Sequence, residues 1–321
     1  MPINHSEQQL ITVRPIIVPV AGREIELRVK VTAPASGEDL PVIVFSHGNA
    51  WSMDGYGPLV DRWAAAGFVV VQPTHLDSRR HGIGFDDPRF GTIWRTRITD
   101  LHAIIDDLDG VLARAGGLNT QADLDRVAVV GHSWGGQTVG TLLGARVFDA
   151  EGNPGESFAH PGIKAGVLIA AAGTGDSLTP FAAEHLPFMR PDYSTMTAPA
   201  LVITGDKDQS AMSTRGPDWF TDAYRLSPAP KRLLTVIDGE HTLGGVAGEA
   251  VAETSDEDPA RVALVADAVS GYLLDVLGLD PAPWKEFVDE AAADGDAYQV
   301  ESKEKEQDKE QVTVGVDQSD S

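Results

Sequence analysis

The feature that most constrains this chain is a series of unbroken apolar runs: "PVIVFSHG", "FVVVQPT", "RVAVVGHS", "IKAGVLIAAAG", "APALVITGDKD" and "KRLLTVIDGEH". A strand with one face in water alternates apolar with polar residues. Runs without that alternation belong to strands covered on both faces, which is the signature of a mainly parallel sheet wound with helices. The segments between them supply the helices: "GPLVDRWAAAG", "TDLHAIIDDLDGVLARAGG", "GQTVGTLLGARV", "DWFTDAYRLS" and "DPARVALVADAVSGYLLDVLG". Ahead of them, "ITVRPIIVPV" and "EIELRVKVTAP" flank the turn Ala21-Gly22-Arg23 and read as an antiparallel hairpin at one sheet edge. The expectation is an α/β domain over residues 1–280, with about eight strands and helices on both faces. Residues 281–321 are expected to form an acidic, disordered tail, with one short helix near "PAPWKEFVDEAAAD".

Two segments fall outside this rhythm, His75–Arg95 and Gly173–Met196. Both follow parallel strands at their C-terminal ends, where sheets of this kind bind ligands. Neither is long enough for a large cap domain. Among their aromatic residues and those of the loop after "PVIVFSHG", Trp51, Trp94 and Phe181 are candidate substrate contacts, with Tyr56 opening toward the same end. Arg79 and Arg80 are expected to pair with a neighbouring aspartate rather than with a substrate carboxylate.

Charge and composition remove whole classes of function. The 48 acidic residues against 25 basic ones leave a net charge of −23, a field that repels nucleic acid and anionic membranes. The chain has no cysteine, which excludes a disulfide scaffold, a thiol nucleophile and a thiolate metal site. No basic region followed by a long apolar run stands at the N-terminus, so a cytoplasmic location without membrane insertion is the expectation. No metal-ligand or phosphate-cradling motif is visible, and neither metal nor cofactor is expected.

One junction carries chemistry. In "RVAVVGHSWGGQTVG" a buried strand hands over to a helix through Gly131-His132-Ser133-Trp134-Gly135. Flanking glycines allow a tight turn that raises the serine at the end of the sheet, the geometry of a nucleophile elbow. A serine hydroxyl needs a base, and the base needs an orienting acid. On such a fold the acid follows the serine and the histidine comes last. Of the histidines after Ser133, His160 and His185 precede any strand able to present the acid, which leaves His241 in "VIDGEHTLGG". The turn after "ALVITG" offers Asp206 and Asp208; Asp208 is preferred because it lies further into the turn. Two backbone amides should face the developing oxyanion: that of Trp134, directly after the nucleophile, and that of Asn49, with Ala50 as the neighbouring alternative.

Taken in order, "FSHGNAW", "GHSWGG", "TGDKDQS" and "DGEHT" resemble the α/β-hydrolase superfamily, over about Val18 to Leu277. The small excursions and the Gly-x-x-Asp acid resemble its dienelactone-hydrolase-like branch, with platelet-activating-factor acetylhydrolases, chlorophyllases and cutinase-like enzymes. True dienelactone hydrolases carry cysteine at the elbow, where this chain has Ser133. The resemblance implies a serine carboxylic-ester hydrolase acting on a small or medium, apolar ester through an acyl-enzyme. Amidase, thioesterase or acyltransferase chemistry on the same three residues is the alternative, and a non-catalytic ligand-binding homologue belongs to another class.

Overall fold

Alternate side chains of a strand point to opposite faces, so each unbroken apolar run feeds two cores at once. Val42 and Val44 enter one and Ile43 and Phe45 the other; Val127 and Val129 are likewise separated from Ala128 and Val130. All eight of these side chains are essentially inaccessible to solvent. A computed structural model describes residues 8–149, 151–248, 254–293 and 295–304.

The N-terminal hairpin is present: β1 (Leu10–Val18) and β2 (Leu27–Pro34) pair antiparallel, with a register shift between Val13 and Ile16. Next come β3 (Leu40–Ser46), α1 (Gly57–Ala65), β4 (Val69–Thr74), α2 (Ile93–Asp106) and α3 (Leu108–Arg114). They are followed by β5 (Ala122–His132), α4 (Trp134–Leu142), β6 (Arg146–Val147), β7 (Ile163–Ile169), α5 (Pro180–His185) and β8 (Pro191–Asp192). The chain continues through β9 (Ala200–Gly205), α6 (Asp222–Leu226), β10 (Lys231–Val236), α7 (Pro259–Val276), α8 (Ala282–Ala293) and β11 (Tyr298–Lys303). The main sheet has nine strands in the order β1-β2-β4-β3-β5-β7-β9-β10-β11. It is parallel from β4 to β10 and antiparallel at both edges. One core lies under α2, α3 and α4, the other under α1, α7 and α8.

Three departures from the expected elements have local causes. The long helix begins earlier, at Ile93, and is divided where Asp107 leaves helical geometry (φ −106°, ψ 26°). The helix after Ser133 stops at Leu142; Gly144 then turns at φ 111°, and β6 pairs with β8 in a two-stranded ribbon instead. Third, the boundary at residue 280 cuts through the structure. In "YQVESK" the buried Tyr298 and the half-buried Val300 face the core, while Glu301 pairs with Arg225 at 2.6 Å. That alternation is all an edge strand needs, and it covers the otherwise open edge of β10. Residues 305–321 of the expected tail lie outside the described residues.

Trp284 ties α8 to the sheet. It is 6% exposed, edge-on to Tyr272 at 5.7 Å, and the Arg232 guanidinium lies 4.9 Å from its ring. Trp284→Ala is expected to cost about 3–5 kcal/mol, read as a lower urea midpoint; an unchanged midpoint would mean that the C-terminal hairpin adds nothing to stability.

Candidate active site

The handover from β5 to α4 leaves no room for side chains on its flanks. A Cβ on Gly131 would stand 2.2 Å from the Gly135 carbonyl oxygen, and one on Gly135 would stand 2.0 Å from that of Ser46. Between them Ser133 takes φ 55° and ψ −121°, a conformation that costs a residue with a Cβ of order 1–3 kcal/mol. The strained residue is held from both sides: its N–H donates to the Ile169 carbonyl at 2.8 Å, and its own carbonyl receives the Gln137 N–H.

Two further loops arrive at the same point. The Ser133 hydroxyl lies 2.9 Å from His241 Nε2, and His241 Nδ1 lies 3.0 Å from Asp208 Oδ2 and 3.2 Å from Oδ1. With Nδ1–H donated to the carboxylate, Nε2 is left to accept from the serine. Asp208 is fully buried, and burial pushes its carboxyl up from the ordinary range while His241 pulls it back. The His241 loop is itself fixed, because Asp256 accepts the backbone N–H groups of Glu240 and Gly244 at 2.9 and 3.0 Å. Asp206 contacts Lys207 at 3.7 Å, and its own N–H is spent on the Val236 carbonyl.

The two amides considered for the turn after β3 have different fates. Ala50 N–H donates to Asp77 Oδ2 at 3.1 Å, whereas Asn49, Ser133, Trp134 and His241 all line one cavity of about 250 Å³. Trp134 is the first residue of α4, so its N–H is among those a helix leaves without an intrahelical partner. Beneath the turn lies a buried ion pair. Arg97 donates from Nη1 to both Asp77 oxygens at 2.7 Å and from Nη2 to the His47 carbonyl. Its guanidinium also lies 5.0 Å from the Trp134 ring.

Trp51, Trp94 and Phe181, expected as substrate contacts, do not line this cavity. Trp51 borders a different depression, with Arg79 and Arg80. Trp94 stands behind the wall, against Phe158 and Phe188. Phe181 is 46% exposed and packs on Phe85 and His185. Tyr56 is fully buried. The wall is built instead by Phe85, Phe90, Phe188, Met212, Trp219 and Phe220. Phe85, Phe90 and Phe188 do come from the two excursions, but Met212, Trp219 and Phe220 lie beyond the Asp208 turn, where no loop of unusual length signalled them. Arg80 pairs with Asp54 at 2.5 Å, as expected of it.

The matched family joins this geometry at the elbow. Residues 9–146 match the chlorophyllase family, and that span contains Asn49, Ser133 and Trp134; Asp208 and His241 lie beyond it. The chain has the α/β-hydrolase fold. No curated protein matches it. The mainly parallel sheet, its antiparallel N-terminal edge and the two small excursions agree with the architecture expected of this fold. No helix among the described residues is long and apolar enough to cross a membrane. Away from the cavity, His102, Asp106 and His160 gather within 4.8 Å of one another, with His160 Nε2 donating to Asp106 at 3.1 Å.

The protein buries several titrating groups beneath this site. Burial pulls His47 down to about 4 and His132 down to about 3, and Arg97 adds to the effect on His47. An unfolded chain protonates both near 6.5, so the unfolded state binds more protons below that pH. Their contribution to stability is therefore complete above about pH 6.5 and is lost as the pH falls toward 4. His75 adds to it with the same sign. Asp100, raised to about 7, and Asp208 oppose it. Unfolding between pH 6 and 4 should take up a net proton or more, a slope of about 1.4 kcal/mol per pH unit, measured by urea titration at several pH values. A flat profile would show that these histidines are charged in the folded protein.

Proposed function

We propose that this protein is a serine carboxylic-ester hydrolase working through an acyl-enzyme. The reading is carried by one observation: Asp208, His241 and Ser133 form a continuous hydrogen-bonded series on the wall of an aromatic cavity. His241 Nε2 takes the Ser133 proton as the oxygen attacks the ester carbonyl. The imidazolium that forms is oriented and stabilised by the buried Asp208 carboxylate. The backbone N–H groups of Asn49 and Trp134 receive the oxyanion, the second of them at the positive end of a helix. His241 then protonates the leaving alcohol, and water activated by the same imidazole releases the acid.

Cavity size and lining support a modest, apolar acyl or alcohol group. A site of about 250 Å³ exceeds the roughly 150 Å³ that accommodates a benzene ring by a few methylene groups. Phe188 stacks on Trp134 at 5.1 Å with an interplanar angle of 12°, so one wall is flat. Gln137 adds a polar note: its Nε2 donates to the Phe188 carbonyl at 2.7 Å, while its buried Oε1 has no partner among the described residues.

On a series of p-nitrophenyl esters, butanoate to hexanoate should be cleaved with a higher kcat/KM than dodecanoate. Ser133→Ala and Asp208→Asn should each lower kcat by about 10⁴-fold or more, and Asp206→Asn should stay within about threefold of wild type because Asp206 pairs with Lys207, apart from the Ser133–His241–Asp208 series. Equal turnover by wild type and Ser133→Ala would refute the reading. So would a larger loss at Asp206 than at Asp208, as far as the acid is concerned.

A further inference from the structure

Behind the site, three backbone segments are linked by two side chains that line no part of the cavity. Gly48 N–H donates to Tyr56 Oη at 3.0 Å. Tyr56 Oη lies 2.9 Å from His132 Nδ1, and His132 Nε2 lies 2.9 Å from the carbonyl oxygen of His241. The direction of every bond is fixed by chemistry. A carbonyl only accepts, so Nε2 carries the proton. Burial keeps His132 neutral at any pH above about 3, so Nδ1 is bare and Tyr56 donates to it. The resulting chain of hydrogen bonds runs Gly48, Tyr56, His132, His241. Tyr56 is 0% exposed and His132 1%, so water does not compete for these bonds.

The ends of this chain are functional positions under the reading above. Gly48 precedes Asn49, whose N–H that reading assigns to the oxyanion. His132 precedes Ser133, and the carbonyl it holds belongs to His241 itself. Gly48 is accommodated to the chain: a Cβ there would stand 2.8 Å from Tyr56 Oη and 3.3 Å from His132 Nδ1. An apolar pair would fill the same volume between Phe45 and Trp51, which contact the Tyr56 ring at 4.7 and 5.7 Å. A packing role needs no donor and acceptor in register; alignment of three loops does.

We propose that Tyr56 and His132 are positioning residues that lock the Asn49 amide, the Ser133 elbow and His241 into one register. The proposal rests on the serine-hydrolase reading. Tyr56→Phe removes one oxygen and keeps the ring. It should lower kcat by about tenfold or more, since small displacements of reacting groups are costly, while KM stays within about twofold because ground-state binding is untouched. Affinity for an alkylboronic acid, which mimics the tetrahedral state at Ser133, should fall in parallel with kcat, and affinity for the product carboxylate should not. His132→Gln places an amide donor where Nε2 faced the His241 carbonyl and leaves no acceptor at the Nδ1 position that faced Tyr56. Its loss should match that of Tyr56→Phe, and the double variant should lose no more than either alone.

Turnover of Tyr56→Phe within about twofold of wild type, or additive losses in the double variant, would overturn the proposal. So would equal weakening of boronate and carboxylate, which is the mark of a general loosening. If Tyr56→Phe does not fold, His132→Gln decides by the same split between kcat and KM. Failure of the underlying reading has a different signature: Ser133→Ala would then turn over as fast as wild type, whereas failure of this proposal alone leaves Ser133→Ala inactive and Tyr56→Phe fully active.

Discussion

The close approach of α4 to the end of β3 is the constraint on which the rest of the site depends. Because Gly135 has no Cβ, the first turn of the helix rests against the Ser46 carbonyl, with 2.0 Å where a methyl group would have to fit. That contact forces Ser133 into its left-handed conformation and aims its hydroxyl out of the sheet. It also brings the N-terminal end of α4 beside the 47–50 turn, so that Trp134 and Asn49 border the same cavity. A Cβ at Gly135 would push α4 away from the end of β3, one at Gly131 would push it away from β5, and either would disperse these groups. The strain at Ser133 is borne by two backbone bonds, to Ile169 and Gln137, and by the cores on both faces of the sheet.

Much of this was legible in the sequence because its signals are local. An unbroken apolar run states that both faces of a strand are covered, and β3, β4, β5, β7, β9 and β10 all followed it. Gly-x-Ser-x-Gly between such a run and a helix states an elbow, and chain order then restricted the histidine to His241. The preference for Asp208 over Asp206 came from reach along a turn, and the hydrogen bonds run to Asp208. The cavity wall was not legible, because a loop aromatic carries no sign of which way it points. Trp51, Trp94 and Phe181 met the same compositional criterion as Phe85, Phe188 and Phe220. Only the docking of Phe188 on Trp134 and of Trp219 on Thr174, through its indole N–H at 2.9 Å, separates wall from surroundings. Strand β11 was missed for a related reason. Its polar face is genuine, and its two inward residues are too few to register as a period.

Polar groups beneath the site divide into two kinds with different energetic logic. Arg97 and Asp77 are a fully buried charge pair, and removing either partner would strand the other at a cost of about 3–5 kcal/mol. Their return is geometric: between them they hold the His47 carbonyl and the Ala50 amide, the two sides of the turn that presents Asn49. The histidines are of the other kind. His47 receives the His75 N–H on Nε2 and donates from Nδ1 to the Gly48 carbonyl, so it is held as a neutral tautomer. His132 is held neutral in the same way between Tyr56 and His241.

A neutral imidazole with both nitrogens engaged joins a donor to an acceptor on opposite sides of its ring without the desolvation cost of an ion. That property suits the ground behind a site where charge must appear and vanish. Under the proposed mechanism His241 becomes an imidazolium, and a positive charge at position 132 would disfavour that form, whereas a neutral dipole holds position with a smaller effect on the proton's energy. The charged pair lies instead beneath the turn to which the proposed mechanism assigns the oxyanion, and Arg97 and Asp77 cancel there in net charge. Both sides of the site therefore carry a neutral relay, His47 in the 47–50 turn and His132 beneath His241, and the Arg97–Asp77 pair lies beneath the first.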